Sequence, residues 1–292
     1  MDGLNENGFP YPIMSADALK GLIGRNNLRI VDASWRMPGE EHARRDHEIR
    51  RLPGAVFFDL DDIADKTSDL PHMLPSPQDF AAAVGDLGIS DNDDVVVYDD
   101  KGLFSAARVW WTFRAMGHDK VSVLDGGLAA WECAGGPTEK GAATPTPTRY
   151  DIGIARVLAR NANEVGEFLK RKDGIVLDAR PTPRFEGAAS EPRPGLRSGA
   201  MPGAVNLPLA ELLTPNGRLK PVAELARLFH DRGVHMETPV ITTCGSGVTA
   251  AALSLALERL SHQNHAVYDG SWAEWGRETN DPAIFPVVKG KS

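Results

Sequence analysis

The sequence predicts an α/β protein of two tandem domains, each a parallel sheet with helices on both faces. Three observations predict this class. The 292 residues exceed the length of about 150 residues that is usual for one domain. The second half of the chain repeats a pattern of the first half. In both halves, short runs rich in Val and Ile alternate with helical patterns.

The repeat is clearest in two stretches that align without a gap and end at Trp131 and Trp275, an offset of 144 residues (275 − 131). Asp125 matches Asp269 at the same offset. Earlier segments match with small changes of length, namely residues 30–33 with 176–179 and residues 53–56 with 202–205. Both halves therefore follow one plan.

The predicted elements come in the same order in each half. The first half has a strand at 95–98, a helix at 104–116 and a strand at 121–124. The second half has a strand at 240–243, a helix at 248–260 and a strand at 266–268. Strand, helix, strand implies parallel pairing, and ligands bind such sheets at the carboxyl ends of the strands. Cys244 lies at one of these ends.

A stretch rich in Gly, Pro and Thr separates the two halves. Residues 135–148 have little means of forming a core. We therefore predict an N-terminal domain over residues 1–140, a linker over 141–150 and a C-terminal domain over 151–292.

Composition limits the partners and the compartment. A net charge of −8 disfavours nucleic-acid binding, which needs a surplus of Lys and Arg. No stretch reaches the roughly 18 apolar residues of a membrane span, and the acidic opening lacks an apolar signal core. Two cysteines suit a reducing compartment. We expect a soluble cytoplasmic protein with no metal and no cofactor.

The segment 244–250, Cys-Gly-Ser-Gly-Val-Thr-Ala, leaves a buried strand and enters an apolar helix. Glycines permit a tight curve, so the backbone N–H groups can converge on the sulfur of Cys244. A helix N-terminus favours thiolate over thiol, which makes Cys244 a candidate nucleophile. Ser246 is a candidate hydrogen-bond donor to the bound sulfur or the leaving group, and Thr249 is expected to cap the helix or line the loop.

Two other interpretations of the cysteines and their surroundings carry less weight. Residues 245–250 also satisfy a dinucleotide-binding pattern, with Asp269 about 20 residues on, but too few residues follow for the further strand-helix units of such a domain. Cys133 has no comparable loop, so we interpret it as structural.

The loop sequence closely resembles the active-site loop of 3-mercaptopyruvate sulfurtransferases in the rhodanese superfamily, and the resemblance covers nearly the whole chain. It rests also on residues 31–35, 57–74 and 191–195 and on the turn at 125–127. The resemblance implies two tandem rhodanese-like domains, the first non-catalytic and the second catalytic. Consistent with this, Asp100 occupies the place of Cys244 in the first half (244 − 144).

The resemblance also assigns roles to residues outside the loop. Arg184 and Arg193 match the arginines that bind the substrate carboxylate, and guanidinium groups fit a carboxylate with paired donors. Asp61, His72 and Ser246 match a proton relay proposed for the family. The loop residues Gly245, Gly247, Val248 and Thr249 are expected to contact the donor.

A metal site at His262 and His265 is not expected, because no Cys or acidic ligand accompanies them at a recognised spacing. We predict that these two histidines lie at a solvated helix end.

The expected activity is transfer of sulfane sulfur from 3-mercaptopyruvate, through a Cys244 persulfide, to a thiol such as thioredoxin or to cyanide, with release of pyruvate. Thiosulfate remains an alternative donor, although thiosulfate-specific relatives carry basic side chains just after the cysteine, where this chain has Gly245 and Ser246. A non-enzymatic sulfur carrier also remains open. A phosphatase is disfavoured because no arginine closes the loop.

Overall fold

The computed structural model describes residues 11–154 and 156–290. Their contacts form two compact units. The first unit comprises the described residues up to 66, with 74–156 and 214–219. The second unit comprises residues 67–73, 157–213 and those from 220 onward. Each unit thus includes a short segment from the other half of the chain, and the domain limits given above stay a prediction.

The first unit contains a five-stranded parallel sheet, with strand order β1-β5-β4-β2-β3. Its strands are β1 (Ile13–Met14), β2 (Leu28–Asp32), β3 (Val56–Phe57), β4 (Asp94–Tyr98) and β5 (Val121–Leu124). Its helices are α1 (Ala16–Lys20), α2 (Arg44–Ile49), α3 (Pro77–Asp86), α4 (Ala106–Ala115) and α5 (Gly127–Cys133).

The second unit repeats this topology in the order β6-β10-β9-β7-β8. Its strands are β6 (Ala159–Arg160), β7 (Ile175–Asp178), β8 (Val205–Asn206), β9 (Val240–Thr243) and β10 (His265–Tyr268). Its helices are α6 (Ala162–Arg171), α7 (Thr182–Phe185), α8 (Leu209–Leu212), α9 (Val222–His230), α10 (Ala250–Arg259) and α11 (Ser271–Trp275). The predicted α/β class, with two parallel sheets, is confirmed.

Alternation along the strands explains the layering. Successive side chains of a strand point to opposite faces, so Val96 and Tyr98 pack with α1 and α5 while α4 covers the other face of the sheet. In the second unit, Ile241 and Tyr268 pack with α6 and α11, and α10 contacts β9 and β10.

The helices α4 and α10 are buried on nearly all sides. Every residue of α4 is buried, as are residues 250–257 of α10. The buried part of α10 is apolar except for Ser254, whereas α4 also buries Arg108, Thr112 and Arg114. No helix in the described residues is both long and apolar enough to span a bilayer.

The end of the predicted linker packs onto the first unit. The Thr148 N–H donates to the carbonyl of Gly85, at 2.9 Å. Tyr150 is 6% exposed and its ring lies edge-on to Phe80. Part of the Gly, Pro and Thr-rich stretch therefore contributes to a core, which its composition alone does not indicate.

Candidate active site

Cys244 follows β9 directly and begins the cysteine loop, residues 244–249, which leads into α10. The start of α11 holds the backbone of this loop. The Cys244 N–H donates to Ser271 Oγ at 3.2 Å, and the carbonyl of Cys244 accepts from the Trp272 N–H at 2.9 Å. The Gly245 carbonyl accepts from the Ala273 N–H at 2.8 Å. Cys244 itself is 3% exposed.

The backbone donors of the loop have no acceptor in the part of the chain that the structure describes. Within the described ranges, the N–H groups of residues 245–250 donate no hydrogen bond. Gly247 adopts φ 76°, which an L side chain rarely tolerates. The α10 N-terminus adds partial positive charge. The turn therefore presents unsatisfied donors immediately after the thiol.

The other loop residues are mostly enclosed. Ser246 is 5% exposed and Val248 is 3% exposed. Thr249 is the N-cap residue of α10, but its side chain makes no capping hydrogen bond. Thr249 therefore occupies the capping position without a side-chain cap, and lining the loop remains a prediction for it.

Arg184 reaches the cysteine loop from α7. A methyl group placed on Gly245 would lie 3.2 Å from Arg184 Nη2. The Arg184 side chain is 20% exposed, and its Nε donates to Glu191 Oε2 at 3.0 Å. The structure thus brings one of the two predicted arginines beside the cysteine loop.

Arg193 lines a cavity of about 340 Å³ together with Gly195, Ala273 and Arg277. Because the Ala273 N–H is bonded to Gly245, this cavity adjoins the cysteine loop. Arg277 donates to Asp69 at 2.8 Å, and this hydrogen bond raises the pKa of Arg277 above its ordinary value. Two arginines, Arg193 and Arg277, therefore line the cavity, and Asp69, which also lines it, is paired with Arg277.

His72 belongs to the second unit although its position in the chain is in the first half. It is 5% exposed and adopts φ 61°. Its Nε2 lies 3.4 Å from Arg193 Nη2. The structure therefore brings His72 together with a predicted substrate arginine.

Asp61 belongs to the first unit. Its side chain is exposed, accepts a hydrogen bond from Trp35 Nε1 at 2.9 Å, and lies with His42 and Asp59 in a small group of polar side chains. Its part in a proton relay stays a prediction.

Sequence inspection missed Ser271 and Glu191. Ser271 is fully buried and, with φ 51°, adopts a left-handed conformation that is costly for any residue except glycine. The repeat offers a signal for it, because the matching position of the first half is Gly127 (271 − 144). Glu191, with a side chain 1% exposed, contacts both Arg180 and Arg184.

The prediction that His262 and His265 lie at a solvated helix end is wrong, because both side chains are buried. His262 is 2% and His265 is 7% exposed, because β10 begins at His265 and carries it into the sheet. His265 Nδ1 lies 2.9 Å from Ser254 Oγ, and its Nε2 lies 3.1 Å from Glu258 Oε2. Both are therefore buried side chains with protein partners. Cys133, interpreted as structural, ends α5 and is exposed.

Comparison with known proteins agrees with this architecture. The family model described as a rhodanese-like domain matches residues 15–134 and 161–278. The human 3-mercaptopyruvate sulfurtransferase is 39% identical, with 95% of this chain and 94% of the relative covered. The mitochondrial thiosulfate/3-mercaptopyruvate sulfurtransferase 1 of Arabidopsis thaliana is 38% identical, over 93% of this chain and 77% of the relative.

A solved structure agrees as well. The crystal structure of SseA from Escherichia coli, described as a 3-mercaptopyruvate sulfotransferase with the rhodanese fold, superposes with a TM-score of 0.80 at 39% identity. The superposition covers 90% of this chain and 99% of SseA. Two parallel α/β units, one of them with a cysteine loop at the end of a central strand, define a rhodanese-type protein. The chain belongs to the rhodanese family, and within it to the sulfurtransferases.

Proposed function

We propose that the protein transfers sulfane sulfur from 3-mercaptopyruvate through a persulfide on Cys244 to a thiol or cyanide, with release of pyruvate. The observation that carries the proposal is the row of N–H groups at 245–250 that have no acceptor in the described part of the chain. Donors fixed in this way stabilise an anion at little cost of reorganisation. Here that anion is the thiolate or the persulfide of Cys244.

In the first half-reaction, the Cys244 thiolate attacks the sulfur of the donor. A sulfur–sulfur bond forms, the carbon–sulfur bond breaks, and its electron pair leaves with the carbon fragment as pyruvate enolate, which then takes a proton. This is nucleophilic catalysis. Burial of Cys244 keeps water away from the persulfide.

In the second half-reaction, an acceptor thiolate or cyanide attacks the outer sulfur. The sulfur–sulfur bond breaks and returns the electron pair to Cys244 as thiolate. A dithiol protein such as thioredoxin is the proposed physiological acceptor, because its second thiol can displace the transferred sulfur as sulfide and leave a disulfide.

Donor recognition is assigned to Arg184 and Arg193. Both carry paired N–H donors that suit a carboxylate, Arg184 beside Gly245 and Arg193 in the adjoining cavity. The volume of about 340 Å³ fits a small α-keto acid. The donor also contacts Gly245, Gly247, Val248 and Thr249 in this proposal.

Asp61, His72 and Ser246 are proposed to move the proton that the enolate takes, on the strength of the family resemblance. The contact of His72 with Arg193 supports a second role for the histidine, which is to orient that guanidinium. The proposed location is the cytoplasm, since two free cysteines suit a reducing compartment. The Arabidopsis relative is named as mitochondrial, so fractionation of the source cells is the test of location.

Mass spectrometry of the intact protein after treatment with 3-mercaptopyruvate tests the mechanism. We expect one added sulfur in the wild type and in Cys133→Ser, the matched control in which the exposed thiol is removed. We expect none in Cys244→Ser. An active wild type without this adduct would contradict the persulfide.

The donor is tested by comparing kcat/KM for 3-mercaptopyruvate and thiosulfate with cyanide as acceptor. A much larger value is expected for 3-mercaptopyruvate, because Gly245 and Ser246 give the loop no side-chain cation for a dianion. Equal values would favour the thiosulfate alternative, and no turnover with either donor would favour a sulfur carrier.

A further inference from the structure

A buried row of alternating charges ends at the arginine beside the cysteine loop. We call Asp178, Arg180, Glu191 and Arg184 the charge ladder. Arg180 donates to Asp178 Oδ2 at 2.7 Å and to Glu191 Oε1 at 2.8 Å. The other oxygen of Glu191 accepts from Arg184 Nε at 3.0 Å and also from Arg184 Nη2. Carboxylates and guanidinium groups therefore alternate along the charge ladder, in the order Asp178, Arg180, Glu191, Arg184.

The inner members of the charge ladder are shielded from solvent. The side chains of Asp178, Arg180 and Glu191 are each 1% exposed. Burial by itself lowers the pKa of Arg180, but the carboxylates of Asp178 and Glu191 raise it above its ordinary value. A buried charge persists only when it is paired and hydrogen-bonded, so removing one member leaves its neighbours uncompensated.

The charge ladder is tied to the cysteine loop at a second point. The Arg180 guanidinium stacks over the ring of Trp272, with its carbon 4.0 Å from the ring centre. The backbone N–H of Trp272 donates to the Cys244 carbonyl. The charge ladder therefore contacts Trp272, the residue whose backbone holds the Cys244 carbonyl.

We propose that Glu191 is a positioning residue that fixes the orientation of Arg184 for the carboxylate of the sulfur donor, an inference that rests on the proposed function. Glu191 occupies the Nε and Nη2 edge of the guanidinium with one oxygen. The Nη1 group of Arg184 donates to no acceptor among the described residues. The outer edge is thereby left for the donor.

The physical benefit is preorganisation. Arg184 has a long side chain with many rotamers, and ordering such a chain at the moment of binding costs free energy. Glu191 orders it beforehand, because both of its own oxygens are already fixed between two guanidinium groups. A displaced guanidinium weakens donor binding, and misplacement by about 1 Å is enough to cost up to about a hundredfold in rate.

The test is a double-mutant cycle between Glu191→Gln and Arg184→Ala, with kcat and KM for 3-mercaptopyruvate as readouts. In the wild-type background, E191Q should raise KM by about tenfold or more and change kcat less. In the R184A background, E191Q should change kcat/KM by less than about twofold, because the residue through which it acts is gone.

Glu211→Gln is the matched control, since it removes the carboxylate of another acid-arginine pair of the same unit, 2.6 Å from Arg232. It should leave KM unchanged. If E191Q does not fold, Glu191→Asp retains the charge, shortens the side chain by one methylene and should give a smaller rise in KM.

Equal losses from E191Q in both backgrounds, or a folded E191Q with the KM of the wild type, would overturn the positioning role. A wild type that does not turn over 3-mercaptopyruvate would instead refute the proposed function. The two failures are therefore distinguishable.

Discussion

The loops after β4 and β9 occupy the same place in the repeat, but their backbone donors have different fates. In the first unit, the carboxylate of Asp99 accepts from the N–H groups of Lys101 at 3.0 Å and of Ser105 and Ala106 at 2.8 Å each. The matching donors in the second unit, at 245, 249 and 250, have no acceptor in the described part of the chain. Three donors of the first loop are thus bonded to a side chain of that loop, whereas the three matching donors of the second loop are unsatisfied.

The residue that makes the difference lies at the carboxyl end of the central strand, where Asp99 directly follows β4 and Thr243 is the last residue of β9. Asp99 corresponds to Thr243 (99 + 144). Thr243 is fully buried, its side chain is short and neutral, and its Oγ1 has no hydrogen-bond partner in the described structure. Threonine leaves the loop donors available to an anion that comes from outside the strand.

The next residue reinforces the contrast. The first unit has Asp100 in the place of Cys244, and this carboxylate pairs with Arg36, whose Nη1 donates to it at 3.0 Å. The first loop therefore has no cysteine at this place, and three of its backbone donors are already bonded to Asp99. This supports the proposal that the N-terminal domain is non-catalytic, because two side chains distinguish turns that are otherwise equivalent in the repeat.

The largest expected loss of activity comes from placing in the second unit the carboxylate that Asp99 supplies in the first. Thr243→Asp places a carboxylate where three loop donors converge, so it takes up those donors and repels a thiolate. Loss of even one such donor costs about a hundredfold or more in kcat, and we expect at least that loss in kcat/KM. Steady-state kinetics with 3-mercaptopyruvate measures it.

The isosteric Thr243→Val is the control for this variant. Because Thr243 Oγ1 has no partner, valine should retain activity and stability. A T243D enzyme with more than a tenth of wild-type activity would show that the loop donors are not the anion site.

Opening the first loop should affect stability rather than activity. Asp99→Ala removes a buried acceptor of three N–H groups, and hydrogen bonds to a charged group contribute about 1.5 to 3 kcal/mol each. Burial raises the pKa of Asp99, and the bonds from Ala106 and Ser105 only partly offset this. The cost of burying the Asp99 carboxylate offsets a large part of the sum of these three bonds, so we expect a net loss of about 3 kcal/mol in the free energy of unfolding, measured by urea denaturation. Unchanged stability would mean that the closure of the first loop is dispensable.

A histidine pair sharpens the comparison at low pH. His118 and His262 share a repeat position (118 + 144), and burial lowers the pKa of both. For His118 it falls to about 4. The ring lies between Phe113 and Tyr150, its Nε2 faces the Asp93 carbonyl and its Nδ1 faces the Tyr150 hydroxyl.

The unfolded chain binds the His118 proton below about pH 6.5, whereas the folded chain does not bind it until about pH 4. Stability is thus fully present above pH 6.5 and falls as the pH drops from there towards 4. At pH 5 the loss is about 2 kcal/mol. The melting temperature of His118→Gln should depend less on pH in this window than that of the wild type. His262→Gln is the matched variant in the second unit. If the pH dependence is lost only in H262Q, His262 rather than His118 causes it, and the prediction for His118 is contradicted.

The strands and the loop were accessible from sequence, because periodicity and local motifs determine them. Val-rich runs located β5 and β9 at their observed residues, and the repeat located Cys244 at the end of β9. The loop composition indicated a tight turn with backbone donors near Cys244, and these donors have no acceptor among the described residues.

The supporting residues were not accessible, because they come from distant parts of the chain. Ser271 reaches Cys244 across 27 residues, and Glu191 contacts Arg180 and Arg184 only because the segment after β7 folds both guanidinium groups around it. His72 joins the second unit through a short segment, residues 67–73. The burial of His265 depended on a strand that begins one residue earlier than predicted.

The smallest expected effect on activity comes from Ser271, where two variants separate the hydrogen bond to Cys244 from the strain of the backbone. Gly127 and Ser271 have nearly the same φ, 56° and 51°, yet only Ser271 has a hydroxyl, which accepts from the Cys244 N–H and donates to the Tyr268 carbonyl. Ser271→Gly removes these bonds but relieves a left-handed conformation that costs about 1 kcal/mol. Its stability should therefore change little, while kcat/KM should fall by about five- to tenfold because one hydrogen bond of about 1 kcal/mol no longer fixes Cys244.

Ser271→Ala loses the same hydroxyl but keeps the strain. It should match Ser271→Gly in kcat/KM and be less stable by about 1 kcal/mol, as thermal denaturation measures. If the two variants differ in activity but not in stability, the backbone conformation rather than the hydroxyl positions Cys244. In that case the first unit, which has the same backbone conformation at Gly127, would lack a nucleophile only because it carries Asp100 where the second carries Cys244.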